Sequence, residues 1–583
     1  MCRLLSLVLV LLAAVTSGAA PARPNVLFIS VDDLRPDLGC YGSHVAKTPN
    51  MDRIAARGTV FARAYCQQAV CSPSRTSLLT GRRPDVTKVW DLETHFRVAL
   101  PNTVTLPQHF KANGYHCAAL SKIYHVGFED GRSWSEPHWY PKGQSVDTDP
   151  VDWTKRIITK HAVNTSEFSV PLEGGPDRKN GKSAKKGAAF EVSPKADDEL
   201  PDGATAAEAV KRLHALKQKG EPFFLAVGFL KPHLPFVAPK KYWDLYNPDT
   251  LPVPAFDRLP KDSPAFAGHN NSELHNYPGV PKENPIPADF AKQLRHGYYA
   301  CISYTDAQVG RLLDALDREG LADSTVVVLW GDHGWQLGEH GLWHKHTNFE
   351  LATRAPLLLS VPGLKPAGQT CNAPVEFVDV YPTLADVCGL AIPAGLDGKS
   401  LRPLLQNPGA PKLKVAVSQY PRSTPEGPAM GYSIRDERWR CTFWRERNGA
   451  KIIATELYDE VGDPAETVNL ASLPAHKALI ESFAKHLPPV GSAASGDGKA
   501  SPKRSGKLKA NSKSVAPPAD EDRGARFDRL YPGKTKVTRE EYLAKQFDQA
   551  AASERFTKFD ADKDGLLSRE EFITGGGKNP LAK

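Results

Sequence analysis

Several short apolar runs in this 583-residue chain end in charged side chains. The runs at 24–31, 115–121, 222–229 and 324–331 are rich in Val, Leu, Ile and Phe, and segments with helical patterns separate them. Continuous apolar runs of this length are typical of parallel strands that are buried on both faces of a sheet. The carboxyl ends of parallel strands meet at one edge, so polar residues that follow the runs come together there. The sequence therefore predicts an α/β fold with a ligand site at that edge.

Acidic residues follow the first and the last of these runs. Asp32 and Asp33 come directly after the first run, and Asp332 and His333 follow the last one, about 300 residues later. A helix cap or a turn needs only one aspartate, whereas two adjacent acids repel each other unless a cation joins them. Three carboxylates favour calcium or magnesium, and the neighbouring histidine leaves zinc open. These four residues are the predicted metal ligands.

The stretch at 66–82 has an unusual pattern, C-Q-Q-A-V-C-S-P-S-R-T-S-L-L-T-G-R. A buried structural cysteine would explain Cys71 but not Pro73, Arg75 or the Thr-Gly-Arg ending. The segment C-S-P-S-R-T-S-L-L-T-G-R resembles the signature of the type I sulfatases. The resemblance implies that Cys71 is oxidised to the aldehyde formylglycine by a formylglycine-generating or sulfatase-maturating enzyme. It also implies that the modified residue both catalyses and contacts the metal.

Formylglycine suits sulfate transfer better than a thiol does. A thiol that attacks sulfur leaves an adduct with no easy exit. A hydrated aldehyde carries two hydroxyls on one carbon, of which one attacks the sulfate and the other loses its proton and expels the sulfate. The modification therefore permits covalent catalysis without attack by water on a negatively charged ester.

The resemblance extends from residue 24 to about residue 480 and supplies further site residues. The segments K-P-H-L-P-F and G-D-H-G-W-Q-L-G-E-H-G-L-W-H-K resemble the iduronate-2-sulfatase branch in particular. By resemblance, Lys122 and Lys345 contact sulfate oxygens and Arg75 orients the hydrated aldehyde. His125 takes a proton from the aldehyde hydrate, and His233 protonates the departing sugar oxygen. Sulfatases of this superfamily mostly look like calcium enzymes, so calcium is the expected ion, with magnesium or another divalent ion as the alternative.

The resemblance implies an alkaline-phosphatase-like sulfatase fold, with a large mixed, mostly parallel sheet between helices. Short alternating runs between 415 and 458 predict a small antiparallel subdomain after it. Residues 129–200 are polar and predict a long irregular insertion. The predicted division of the chain is a signal peptide at 1–22, a catalytic domain at 23–405, the antiparallel subdomain at 406–490, a disordered linker at 491–520 and an EF-hand module at 521–583.

The first 22 residues carry an apolar run behind Arg3 and then small residues, as secretory signal peptides do. No later run reaches the roughly 18 apolar residues that a membrane span requires. We therefore expect an exported protein, periplasmic or secreted, without a transmembrane span.

Seven of the nine cysteines remain after Cys2 and Cys71 are set aside, and they are scattered along the chain. Their scatter argues against a dense disulfide framework, although one or two bridges stay open.

The formal charge of +8 does not indicate a nucleic-acid surface. Residues 491–520 hold six basic and two acidic side chains, so half of the excess lies in one low-complexity segment. Such a segment is typical of a solvated linker, with weak attraction to polyanionic glycans as the alternative.

The segment D-A-D-K-D-G-L-L-S-R-E-E at 560–571 matches the EF-hand loop pattern. A degenerate, longer loop at 528–541 lacks most ligands, so we expect one calcium ion in a paired-hand module. The module serves as a calcium-dependent protein contact or as a stabiliser. The predicted ligands are Asp560, Asp562, Asp564, Leu566, Ser568 and Glu571.

The resemblance predicts a sulfatase that removes 2-O-sulfate from uronic acids of sulfated glycans. The alternatives are an aryl or other carbohydrate sulfatase, a phosphatase or phosphonate monoester hydrolase of the same superfamily, and an inactive glycan-binding pseudo-sulfatase. Phosphatases of this superfamily tend to place serine or threonine at the position of Cys71, which argues against that alternative.

Overall fold

The computed structural model describes residues 23–141, 187–364, 366–410, 415–447, 449–490, 527–528, 530–544 and 556–574, and also the backbone of 144–146. The predicted signal peptide at 1–22 and the predicted linker at 491–520 lie outside the described residues.

Strands β1 to β17 are Asn25–Val31, Thr59–Tyr65, His116–Ser121, His138–Tyr140, Gln144–Val146, Phe190–Ser193, Phe223–Phe229, Phe236–Pro239, Thr325–Gly331, Leu357–Ser360, Gln369–Glu376, Ala416–Thr424, Gly427–Arg435, Trp439–Glu446, Ile452–Asp459, Lys536–Thr538 and Leu566–Ser568. Helices α1 to α14 are Pro49–Arg57, Cys71–Thr80, Pro84–Thr87, Leu106–Ala112, Pro201–Lys219, Lys240–Trp243, Ser272–His275, Ala288–Arg318, Glu350–Thr353, Val380–Val387, Arg402–Gln406, Lys477–Ala484, Arg539–Ala544 and Arg569–Thr574.

The large sheet has the strand order β11-β2-β10-β9-β1-β7-β3-β4-β5. Strand β1 lies at its centre and pairs in parallel with β7 and β9, and β3 pairs in parallel with β7. Strand β10 runs antiparallel to both of its neighbours. This arrangement confirms the predicted mixed sheet, and it brings the carboxyl ends of β1, β3, β7 and β9 to one edge.

Alternate residues of β1 belong to two different hydrophobic cores. Leu27 and Ile29 pack with residues of α1, α5 and α8, whereas Val26 and Phe28 pack with residues of α2, α4 and α10. Successive side chains of a strand point to opposite faces, so these two cores lie on the two sides of the sheet. Burial on both faces explains why the central strands are continuous apolar runs rather than alternating ones.

The insertion predicted at 129–200 is not irregular at its ends. Strands β4 and β5 extend the large sheet at its edge, and β6 pairs in parallel with β8. These strands have only three or four residues each, too short to produce a recognisable pattern in the sequence. Residues 147–186 lie outside the described part of the chain.

Strands β12 to β15 form a separate four-stranded antiparallel sheet, which confirms the predicted C-terminal sheet. This sheet contacts the loop that precedes Cys71: the hydroxyl of Ser418 donates to the carbonyl of Cys66 at 2.6 Å, and the N–H of Gln419 donates to the carbonyl of Gln67 at 2.7 Å. The C-terminal sheet thereby helps to fix the start of α2.

Residues 527–574 contain a small hydrophobic core of their own. Strands β16 and β17 pair there as a two-stranded antiparallel sheet, with Val537 opposite Leu567. Phe527, Phe556 and Phe572 are buried around this pair.

The eight cysteines of the described residues are unbonded. None of the helices in the described part of the chain combines the length and the apolar character needed to cross a membrane.

Gly228 allows β7 to approach the turn that follows β3. A Cβ atom at this position would lie 2.2 Å from the carbonyl oxygen of Lys122, which is part of the backbone and cannot rotate away. We expect Gly228→Ala to lower the free energy of unfolding by about 1–3 kcal/mol, because the two strands must separate. Thermal denaturation measures the effect. Gly187→Ala is the control, since its Cβ would meet no atom within 4 Å, and equal melting temperatures for the two variants would contradict the expectation.

Candidate active site

The ends of β1 and β9 bring three carboxylates together. The two strands pair in register, with Val31 opposite Gly331, so the residues that follow them start at the same level. The N–H of Asp33 donates to Oδ1 of Asp332 at 3.0 Å. Asp33 has a φ of 59°, in the left-handed region that aspartate tolerates better than most residues. This turn lets Asp32 and Asp33 point in different directions at the edge of the sheet.

Arg75, on α2, bridges the ends of β1 and β9. Its Nη2 donates to Asp32 at 2.9 Å, its Nε donates to Asp332 at 2.9 Å, and its Nη1 donates to the hydroxyl of Ser30 at 2.7 Å. All three charged side chains are fully buried. Arg75 therefore fixes the distance between two acids that would otherwise repel each other.

Cys71 is the first residue of α2, a helix in which every residue is buried. Its Sγ lies 3.4 Å from Nε2 of His333 and 4.0 Å from Nζ of Lys122. Burial and the charge of Asp32 raise the pKa of the Cys71 thiol well above its ordinary value. An unmodified cysteine would stay a thiol here and would be a poor nucleophile. The N-terminus of α2 does favour an anion bound next to residue 71.

The donor groups around Cys71 fit a divalent cation. Donor atoms of Asp32, Cys71, Asp332 and His333 all lie within 4.8 Å of one another, and Asp33 joins a second, overlapping group with Asp32 and Cys71. The structure thus brings together all five predicted metal ligands. Burial raises the pKa of Asp33 to about 7, although Lys345 partly offsets the effect. A further positive charge would keep this acid ionised, and carboxylate oxygens are the ligands that calcium and magnesium prefer.

Two lysines contact different members of this carboxylate group. Lys122 follows β3 and makes a buried ion pair with Asp32. Burial alone would raise the pKa of Asp32, but Lys122 and Arg75 outweigh it and hold the pKa well below its ordinary value. Nζ of Lys345 lies 3.1 Å from Asp33 and 4.9 Å from the centre of the Trp335 ring. Both predicted lysines therefore face the strand ends.

His233 lies on the loop after β7 and also faces the site. Its Nε2 is 3.8 Å from Oδ2 of Asp33 and 3.3 Å from Oε1 of Glu273. Asp202 fixes this loop, because it accepts hydrogen bonds from the N–H groups of Leu230 and Lys231 at 2.8 Å each. Burial, together with the charge of Lys345, lowers the pKa of His233.

Glu273 is a site residue that the sequence did not indicate. Its Oε1 lies 2.7 Å from Nζ of Lys345, in addition to the contact with His233. Burial alone would raise the pKa of Glu273, but Lys345 and His233 outweigh it, and the pKa is well below its ordinary value. Glu273 lies on the four-residue helix α7 inside a proline-rich stretch, where no periodic pattern marks it.

His125 and the EF-hand ligands complete the set of predicted residues. His125 follows β3 four residues after Ser121, and its ring stacks 6.0 Å from that of Phe128. The predicted EF-hand ligands lie in the unit at 527–574. Donor atoms of Asp560, Asp562 and Asp564 lie within 4.8 Å of one another there.

Residues 24–390 match the sequence pattern of the Sulfatase family. The chain belongs to this family. Residues 338–491 also match the C-terminal region described for N-sulphoglucosamine sulphohydrolase. Sulfatases hydrolyse sulfate esters, so the protein is a sulfatase and the predicted enzyme class is confirmed.

Two curated relatives and one solved structure illustrate the relationship. Iduronate 2-sulfatase of Mus musculus is 34% identical over 81% of this chain and 95% of its own length, and that of Homo sapiens is 34% identical over 76% and 90%. The phosphonate monoester hydrolase of Agrobacterium radiobacter has a TM-score of 0.62 at 24% identity, covering 79% of this chain and 94% of its own. The latter likeness shows the shared fold.

Removing the Arg75 guanidinium tests whether it holds the strand ends together. Arg75→Met leaves Asp32 and Asp332 buried without their shared partner, and we expect a loss of about 3–5 kcal/mol in the free energy of unfolding. Chemical denaturation in the presence of a calcium chelator measures this loss. The control is Arg53→Met, which removes partly exposed ion pairs with Asp314 and Asp317 and should cost only about 1 kcal/mol. Similar losses for both variants would show that Arg75 is not a structural clamp.

Proposed function

We propose that this sulfatase removes 2-O-sulfate from uronic acid residues of sulfated glycans. The observation that carries the proposal is the 34% identity to mouse iduronate 2-sulfatase across 95% of that protein. The similarity extends over nearly the whole length of the mouse protein and therefore includes the C-terminal sheet. This sheet contacts the loop that precedes Cys71.

The charges around Cys71 support the binding of a sulfate monoester. Arg75, Lys122 and Lys345 are buried cations close to the strand ends, and each already contacts an aspartate. A sulfate group that carries negative charge needs such fixed cations, which also stabilise the charge that develops during its transfer. We assign Lys122 and Lys345 to the sulfate oxygens and Arg75 to the orientation of residue 71.

Residue 71 and the metal are the proposed reactive centre. Formylglycine at Cys71 would supply a hydrated aldehyde as the nucleophile. Asp32, Asp33, Asp332 and His333, with residue 71, would hold a calcium ion, which would supply positive charge to the sulfate oxygens. The three buried carboxylates, and the raised pKa of Asp33 above all, support this assignment.

Two histidines are the proposed proton carriers. His233 is placed next to the carboxylates, with its Nε2 3.3 Å from Oε1 of Glu273, and we assign it the protonation of the departing sugar oxygen. The role of His125 as the acceptor of the aldehyde-hydrate proton rests on the resemblance to the family pattern.

The unit at 527–574 is the proposed second calcium site. Gly565, at the sixth position of the loop, has a φ of 80°, as the sharp turn of an EF-hand loop requires. The carboxylate of Glu571 accepts hydrogen bonds from the N–H groups of Ala561 and Ser568, so the last position folds back over the first. The predicted ligands Leu566 and Ser568 lie on β17, which pairs with β16.

Export is also part of the proposal. The pattern of residues 1–22 indicates a signal peptide, and a periplasmic or secreted enzyme would meet extracellular glycans as substrates. N-terminal sequencing of the exported protein checks this assignment. A chain that still begins at Met1 would contradict it.

A saccharide panel tests the substrate assignment. We expect the full-length protein, produced with a maturation enzyme, to release sulfate from 2-O-sulfated uronates faster than from 4-O- or 6-O-sulfated sugars. Sulfate release is measured by ion chromatography, with Cys71→Ala as the inactive control. Release from the 6-O-sulfated class alone would contradict the uronate assignment, and faster turnover of aryl phosphate than of aryl sulfate would favour a phosphatase.

The state of residue 71 is tested by mass spectrometry of the tryptic peptide Ala64–Arg75. We expect the mass of the aldehyde in protein from the native host, because the site surrounds residue 71 with the partners of an oxidised side chain. A peptide of thiol mass, in protein without sulfatase activity, would favour the glycan-binding pseudo-sulfatase instead.

Calcium titration at different pH values tests the two proposed ions. Calcium binds the ionised form of Asp33, whose pKa of about 7 means that it is protonated at lower pH in the calcium-free protein. Below pH 7 we therefore expect the affinity of the catalytic site to fall by up to about tenfold per pH unit, with little change above pH 8. Isothermal titration calorimetry measures both sites.

The EF-hand site is the internal control, because a hydrogen bond from Lys536 lowers the pKa of Asp564 and keeps it ionised at neutral pH. Glu571→Gln should abolish only the pH-independent binding event, and Asp332→Asn should abolish only the pH-dependent one. A single event that neither variant changes would contradict both assignments.

A further inference from the structure

A second group of potential metal ligands lies beside the catalytic carboxylates. Glu273, on α7, points its Oε1 towards Lys345 and His233, as described above. Its Oε2 points the other way, 3.9 Å from Nδ1 of His344 and 4.0 Å from Nε2 of His346. These three donor atoms lie within 4.8 Å of one another. The two histidines flank Lys345 in the sequence.

The three donor atoms share an unusual property. Oε2 of Glu273, Nδ1 of His344 and Nε2 of His346 are all buried, and none has a hydrogen-bond partner among the described residues. A buried polar atom without a partner is unfavourable, and most buried polar atoms in proteins are paired. Three such atoms that converge on one point need a common partner.

The chemistry of the three atoms favours a cation as this partner. Burial lowers the pKa of His344 well below its ordinary value and that of His346 to about 3, so both imidazoles are neutral. A neutral imidazole can offer a nitrogen lone pair, and Glu273 is an acid that would repel an anion. Two imidazole nitrogens and one carboxylate oxygen are typical ligands of zinc, whereas calcium prefers oxygen atoms alone.

Neighbouring groups hold the ligands in place. The ring of His269 stacks on that of His344 with a centroid distance of 3.5 Å, which fixes the orientation of His344. The side chain of His346 is 24% exposed, although its Nε2 is buried. Zinc in proteins takes four ligands, so an ion held by these three side chains would need one further ligand, such as water.

We propose that Glu273, His344 and His346 form a second metal site that binds zinc or a similar transition-metal ion. Zinc lies ~2.0–2.2 Å from such ligands, which places tetrahedral ligand atoms roughly 3.4 Å apart. Oε2 of Glu273, now 3.9 and 4.0 Å from the two imidazole nitrogens, therefore approaches each of them by about half an ångström when the ion binds. This site is separate from the calcium site, and it does not depend on which sulfated sugar the enzyme uses.

An ion at this site would affect the catalytic pocket through Glu273. The same carboxylate binds Lys345 through its other oxygen, so a metal at Oε2 draws negative charge away from Lys345. Lys345 would then be more available to a sulfate oxygen. The metal would also add positive charge next to Lys345, which would favour the binding of an anionic substrate group.

Zinc binding to the full-length protein tests the proposal. The protein is first saturated with calcium and then titrated with zinc, with bound metal measured by mass spectrometry of the elements and affinity by competition with a chelator. We expect one zinc ion per chain, and an affinity that falls by about tenfold or more in Glu273→Gln, His344→Ala and His346→Phe. His214→Ala is the matched control, because His214 is an exposed histidine paired with Glu319, and this variant should bind zinc as the unchanged protein does.

The pattern of binding across the variants decides the assignment. Absence of a stoichiometric zinc ion in the unchanged protein, or equal binding by all variants, would overturn the proposal. Zinc that is lost in Asp332→Asn but kept in His346→Phe would belong to the carboxylate site and would also overturn it. Should His344→Ala fail to fold, His346→Phe decides the question because His346 is partly exposed. Cobalt in place of zinc gives a visible absorption band that the same variants should remove.

Discussion

The buried bridge from Arg75 to Asp32 and Asp332 is the interaction on which the rest of the site depends. The two acids belong to segments about 300 residues apart, and only the parallel pairing of β1 with β9 makes them neighbours. Their charges would push the strand ends apart without a shared cation. A fully buried guanidinium is itself costly, and here two carboxylates and the hydroxyl of Ser30 compensate for it. The position of α2, and therefore that of Cys71, follows from this bridge.

The adjacent acids Asp32 and Asp33 have unequal cationic partners, and this difference sets the direction of their pKa shifts. Asp32 contacts two cations, Lys122 and Arg75, the second of which it shares with Asp332, whereas Asp33 shares its lysine partner, Lys345, with Glu273. Burial therefore dominates at Asp33 and is overcome at Asp32, so their pKa values move in opposite directions. The acid with the weaker internal compensation is the one that gains most from a bound ion.

The sequence predicts the residues at strand ends better than those on loops. Asp32, Asp33 and Asp332 each follow a buried apolar run, and the rule that parallel strands end at one edge is enough to group them. Lys122 also follows such a run, but only the resemblance to a family gave it a role in the site. Cys71 and Arg75 were predicted only through the resemblance to a family, because the spacing of residues in a helix does not reveal that the helix contributes to the site. Glu273 gave no signal, since a four-residue helix in a proline-rich loop has no periodicity, and its place in the site follows from tertiary contacts such as those with Lys345 and His233.

The architecture shows the same division. The central strands and the antiparallel sheet after residue 415 have lengths and patterns that a sequence reveals. Strands β4 to β6 do not, because three or four residues cannot establish a period. Edge strands of this kind are set by tertiary contact rather than by local preference.

The burial of α2 bears on when Cys71 can be modified relative to folding. Cys71 is 2% exposed and begins a helix with no solvent-facing side, so a folded molecule offers no surface from which an enzyme could oxidise it. Under the proposed formylglycine modification, an oxidising enzyme would have to meet residues 66–82 before the chain folds. Maturation would then compete in time with folding, and a chain that folded first would keep an unmodified Cys71.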